Sequence, residues 1–239
     1  MAKNTSGMVD PAIFDYLQSK IDEDTEIRDQ VKTILQDLEK HGRHSQASLA
    51  KAHSTQASQY GTIVEETEIS IADQINVVER LAGTASRYPY YKYNSLWSRD
   101  IQNTMFHVLL CGWLGGSLGL GNGYQGRLLT LEEVGRVLKV PINLKDRDAF
   151  HLTIEEYLHA LITLIDELSR LAINAVIQAD FAISLQVSKF IKDIYAGFQI
   201  LNLKNDSLRR RSDSIKYSVK KVEDIVYDLS LRNLIPKET

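Results

Sequence analysis

Residues 197–234 read GFQILNLKNDSLRRRSDSIKYSVKKVEDIVYDLSLRNL, and their reading decides the fold. Leu208, Ile215, Val219, Val222, Val226 and Leu229 are spaced 7, 4, 3, 4 and 3 residues apart. That is close to a heptad stripe, so the run is predicted to be a helix with one apolar seam. Asn205 or Asp206 can accept hydrogen bonds from the free N–H groups of its first turn, and Pro236 follows its end. Arg209, Arg210, Arg211, Lys216, Lys220 and Lys221 fall mostly off the seam, which leaves it open to a second helix. That helix either belongs to the same chain, making this the last core helix of a bundle, or to another copy.

Only four prolines, Pro11, Pro89, Pro141 and Pro236, interrupt the 239 residues. With most glycines bunched together, long segments are free of helix breakers, and the chain reads as all-α. A 44% apolar fraction fills an ordinary core. The formal charge of −3 argues against a surface coated with nucleic acid, yet leaves room for a local positive patch. The single cysteine, Cys111, makes an internal disulfide impossible and suits a reducing compartment, the cytoplasm with the nucleus as a second site. No signal peptide is visible. The most apolar run, Met105 to Leu120, is too short and too glycine-rich for a membrane span.

Residues 1–9 read as a flexible tail and 10–239 as one bundle-like domain of about seven helices. Asp10-Pro11 is a helix start, followed by Ile13, Phe14, Leu17 and Ile21. A second helix is expected from Thr25 to about Ala52, a third from Ile63 to Ala85 and a fourth from Ser95 into Gly115-Gly116. Residues 115–126 hold six glycines and are expected to be a mobile loop. Thr130 with Glu133, and Thr153 with Glu156, have the spacing of capping boxes. The helix after Thr153 is apolar on most sides and is expected at the centre. Another is expected over 185–201.

Three places carry candidate chemistry. Arg87, Lys92 and Arg99 alternate with Tyr90, Tyr91, Tyr93 and Trp97. Cations that neutralise phosphates beside rings that stack on unpaired bases are the recipe for single-stranded nucleic acid. The same tyrosines could instead pack a helix corner. The Arg209–Lys221 run places six cations on 13 residues, either a phosphate track or a solvated face. Metal-dependent nuclease chemistry needs clustered carboxylates. Asp166, Glu167 and Asp180 are the acids available, although Asp166 and Glu167 point about 100° apart on a helix and Glu167 with Arg170 reads equally well as an ion pair. The histidines show no metal-ligand spacing, Cys111 reads as a core thiol, and no metal site is expected.

Four blocks carry a family resemblance: Tyr90-Tyr91-Lys92-Tyr93 with Trp97; Phe150-His151-Leu152 through Tyr157-Leu158; Glu167 to Leu171 with Asn174; and the stretch from Gly197. Together they resemble the translin family over almost the whole chain. The resemblance implies a seven-helix subunit, a ring, typically an octamer, closed through the C-terminal helices, and binding of single-stranded RNA and DNA. It implies a hetero-oligomer with translin-associated factor X that processes passenger strands and transfer-RNA precursors. Catalysis there is attributed to the partner's glutamates, and Asn103 and Phe106 stand at the matching positions here, so the resemblance is to the non-catalytic subunit. Two departures stand out. Gly61–Ile69 is acidic where animal members are basic, and Asn94 and Leu96 replace histidines of a second basic segment. An endoribonuclease acting alone, needing Mg2+ at Glu167 and Asp180, and a scaffold that binds no nucleic acid are the alternatives.

Overall fold

The computed structural model describes residues 10–204 and 206–235. The tail at 1–9, the capping role of Asn205 and the terminating role of Pro236 lie outside the described residues. Asp10 caps the first helix, its Oδ1 accepting from the Ala12 N–H at 3.0 Å. Helix α1 then runs unbroken over Pro11–Ala50. At 1.5 Å per residue its forty residues form a rod about 60 Å long. The expected restart near Thr25 does not occur. No glycine or proline interrupts the segment there, and the Thr25 hydroxyl bonds back to the Ile21 carbonyl at 2.8 Å, inside the helix.

Two short 3-10 turns, Lys51–Ser54 and Ala57–Gln59, lead to α2, Tyr60–Ala85. Helix α3, Tyr90–Trp113, begins five residues before the expected Ser95, with Pro89 at its cap. Both capping boxes form: Thr130 with Glu133 starts α4, Leu131–Leu138, and Thr153 with Glu156 starts α5, Ile154–Ile177. Helix α6 spans Phe181–Ile200. The glycine segment between α3 and α4 is tied down at several points. Glu68 accepts from the Leu118 N–H at 2.8 Å, and the Gly126 N–H reaches the Trp113 carbonyl at 2.8 Å. A side chain at Gly123 would collide with the backbone of Gly115 and Gly116, so the two limbs of the loop touch. Cys111 is wholly buried beneath it, and burial pushes its thiol up to about 12.

Helix α5 is central, packed by α3, α6 and α8. The C-terminal run forms two helices, α7 over Asp206–Ser212 and α8 over Ile215–Leu231, with a turn at Asp213-Ser214. Its seam overturns the expected oligomerisation surface. Leu208, Ile215, Val222 and Leu229 are 0–3% exposed, pressed into the chain's own core. Val219 and Val226 are half-buried. The reason is proximity: α5 offers a complementary apolar face within the same chain, and α8 lies against it and α6. The Ser218 hydroxyl also donates to Asp166 at 2.9 Å, pinning α8 to α5.

Candidate nucleic-acid interface

Because α3 starts at Tyr90, Tyr90, Tyr93, Trp97 and Ile101 share one face, and that face is the core. The three rings are only 1–2% exposed. Tyr90 stacks on His151 at 4.2 Å, and burial holds its hydroxyl above the usual range. Trp97 lies 5.5 Å from Phe150. None of these rings can receive a base, which corrects the expectation for Tyr90, Tyr93 and Trp97.

Tyr91 points the other way and is 78% exposed, its ring set edge-on against Tyr90. Arg87 and Arg99 are exposed and in no ion pair among the described residues. Lys92 is exposed too, but its charge is matched. Its Nζ lies 2.7 Å from Asp24 of α1, which also takes the Arg28 Nε at 2.6 Å and the Tyr93 hydroxyl at 2.7 Å. Lys92 first, then Tyr93 and Arg28, hold the Asp24 carboxyl well below the usual range. A phosphate must displace Asp24 to use Lys92.

Beside Tyr91 opens a cavity of 470 Å³, lined by Asn94, Ser95, Ser98, Asn143 and the carboxylates of Glu155 and Glu156. Asn143 is set there by a bridge between Ile142 and Leu152, its N–H on the Leu152 carbonyl at 2.8 Å. Its φ of 45° is the left-handed conformation that Asn tolerates. The side-chain amides of Asn94 and Asn143 have no hydrogen-bond partner among the described residues. Glu156 is 3% exposed and accepts from Thr153 N–H and Oγ at 3.0 and 2.9 Å; burial raises its carboxyl. An exposed ring with free amides nearby suits a flat, polar-edged ligand. Carboxylates within repel phosphate and accept from exocyclic amines.

The two candidate catalytic acids do not meet each other. Glu167 sits between His53 and Arg170, each at 2.8 Å, and His53 foremost lowers its carboxyl. Asp180 accepts from the Ala57 N–H at 3.0 Å. With Asn174 and Gln178, which bond His53 at 2.9 Å each, they fasten the 51–59 connection to α5. Nothing local in the sequence marks His53 or Gln178. Among the described residues, no three His, Cys, Asp or Glu side chains gather as metal ligands. Asn103 is exposed and Phe106 buried. In the basic run Arg209, Arg210, Lys216, Lys220 and Lys221 face outward. Arg211 turns in, donating to Thr163 at 2.6 Å. No helix of the described residues is long and apolar enough to cross a membrane.

Residues 26–233 match the Translin family. A Translin of Gallus gallus is 33% identical over 232 residues, covering 95% of each chain. A Translin-associated protein X of Pongo abelii is 30% identical over 117 residues, 46% of this chain and 40% of that one. Among solved structures, AfC3PO in its complex with duplex RNA gives a TM-score of 0.63 at 16% identity, over 93% of this chain and 99% of that one. That last likeness is one of fold.

Proposed function

The chain belongs to the Translin family, and we propose that it binds single-stranded RNA and DNA through the face around Tyr91. It acts as one subunit of a homo-oligomeric ring, an octamer. With a translin-associated factor X it serves as the non-catalytic subunit of an endoribonuclease that processes small-RNA passenger strands and transfer-RNA precursors. The observation that carries the binding reading is the exposed Tyr91 ring beside the amides of Asn94 and Asn143, which have no partner among the described residues. Arg87 and Arg99, close by in sequence, supply the phosphate contacts. A modest patch repeated on every subunit of a closed assembly gains affinity through multivalency.

The test is fluorescence anisotropy with a short single-stranded RNA across a salt series. Tyr91→Ala removes stacking and is expected to weaken binding by about 1–3 kcal/mol, with the salt slope unchanged. Arg87→Ala with Arg99→Ala is expected to lower the salt slope by about two. Asp24→Asn releases Lys92 and is expected to tighten binding and steepen the slope. If Tyr91→Ala and the double arginine variant bind like the parent chain, this face is not the interface.

A further inference from the structure

The basic run of α7 and α8 has no part in the Tyr91 face, yet two of its cations line a cavity of their own. It measures 380 Å³ and lies between the end of α6, the non-helical link 201–204 and the bend joining α7 to α8. Arg209 and Lys216 are exposed in its wall and enter no ion pair or side-chain hydrogen bond among the described residues. Lys216 rests 5.1 Å from the ring of Tyr217. Asp213, which the bend sets in the same wall, is likewise unpaired among the described residues. Half-buried Tyr195 and buried Phe198 supply an apolar side.

Each of these groups asks for a different part of one nucleotide. Arg209 and Lys216 suit a phosphate. Asp213 repels a phosphate and, as a carboxylate, only accepts, so it needs donors; the adjacent hydroxyls of a ribose are such donors. Tyr195 offers a ring to a base. Among the described residues the lining carries two cations against one carboxylate, one positive charge net. A phosphodiester, with one negative charge, matches that better than a monoester, which carries nearly two. A nucleotide with a diester on its 5′ side and both sugar hydroxyls free is the last nucleotide at the 3′ end of an RNA strand.

We infer that this cavity holds the 3′-terminal nucleotide of a single-stranded RNA, its phosphate on Arg209 and Lys216 and its 2′,3′-diol on Asp213. The site is separate from the Tyr91 face and rests on the RNA-binding reading above only for the source of the nucleotide.

The experiment is fluorescence anisotropy on the full chain with one 5′-labelled single-stranded RNA in two forms, ending in a free 2′,3′-diol or in a 3′-phosphate. The diol form is expected to bind about tenfold tighter, the worth of hydrogen bonds to a charged acceptor. Asp213→Asn, an exposed position, is expected to bring that ratio to about one. Arg209→Ala with Lys216→Ala is expected to weaken the diol form most. Tyr91→Ala is expected to weaken both forms alike and keep the ratio. A ratio of one in the parent chain, a ratio that survives Asp213→Asn, or one that disappears with Tyr91→Ala overturns the assignment. Calorimetry with AMP separates the sources, since AMP carries the same diol beside a monoester. AMP binding as tightly as the RNA gives the cavity to a free nucleotide and overturns the strand end. A parent chain that binds neither RNA sinks the RNA-binding reading; if AMP then gives no heat either, the cavity falls with it.

Discussion

Two stripes of this molecule are written in the same alphabet and end differently. Ile13, Phe14, Leu17 and Ile21 on α1 stand in the open, while Leu208 of α7 and Ile215, Val222 and Leu229 of α8 are sealed into the core. Helical periodicity states that a face will be covered; it does not say by what. The C-terminal seam has α5 within reach of a short turn. The α1 stripe sits at the tip of a rod whose anchored part lies some 20 residues further on.

The sharpest way to break the contrast is to charge both stripes. Val222→Asp places a carboxylate where exposure is 0%, and a loss on the order of 4 kcal/mol or more is expected from an unpaired buried charge. Phe14→Asp, followed by urea unfolding at high dilution, is expected to move stability by no more than about 0.5 kcal/mol, as at other exposed sites. Comparable losses in the two would mean that the α1 stripe is packed after all.

A pH titration extends the contrast, because the sealed half also holds titratable groups. His107 is 5% exposed, its Nδ1 3.1 Å from Gln74, and burial lowers it to about 4. The unfolded chain takes up this proton near pH 6.5, and the folded chain resists until about 4. Stability is therefore whole above pH 6.5 and falls as pH drops between those values, by about 3 kcal/mol in total at 1.4 kcal/mol per unit. His159, lowered by burial and then by Arg211, adds in the same direction. His107→Gln is expected to flatten this limb of a stability–pH curve. His107 and His159 belong to α3 and α5 and not to the α1 stripe, so the stripe variant should keep the parent's curve.

The smallest test compares polar pins. Ser218→Ala removes the bond to Asp166 under α8 and is expected to cost about 1 kcal/mol. Gln18→Ala removes an exposed contact to Asp22 and is expected to cost a few tenths at most. Equal midpoint shifts in denaturant would erase the distinction between the two helices.

What could be read in the sequence was local. The Asp10 cap and both capping boxes formed at the stated residues, because each needs only partners two or three residues apart. The central place of α5 followed from its all-round apolarity. The fate of Tyr90, Tyr93 and Trp97 was legible as the packing alternative: with Ile101 they keep one helical face, once Pro89 is taken as the helix start. Asp24 beside Lys92 was not legible, since 68 residues separate them and only the packing of α1 on α3 brings them together. The His53–Glu167 contact is hidden in the same way, as is the cavity at Asn143, which depends on a left-handed residue and a two-residue bridge.

Cys111 turns the closed interior into its own alarm. Its sulfur is shut in and its proton held up to about 12, and the sequence contains no other thiol. A thiol-reactive dye stays silent on the intact chain and reports, molecule by molecule, each time the bundle opens. Any cysteine later grafted onto the surface would then be tagged against a dark background.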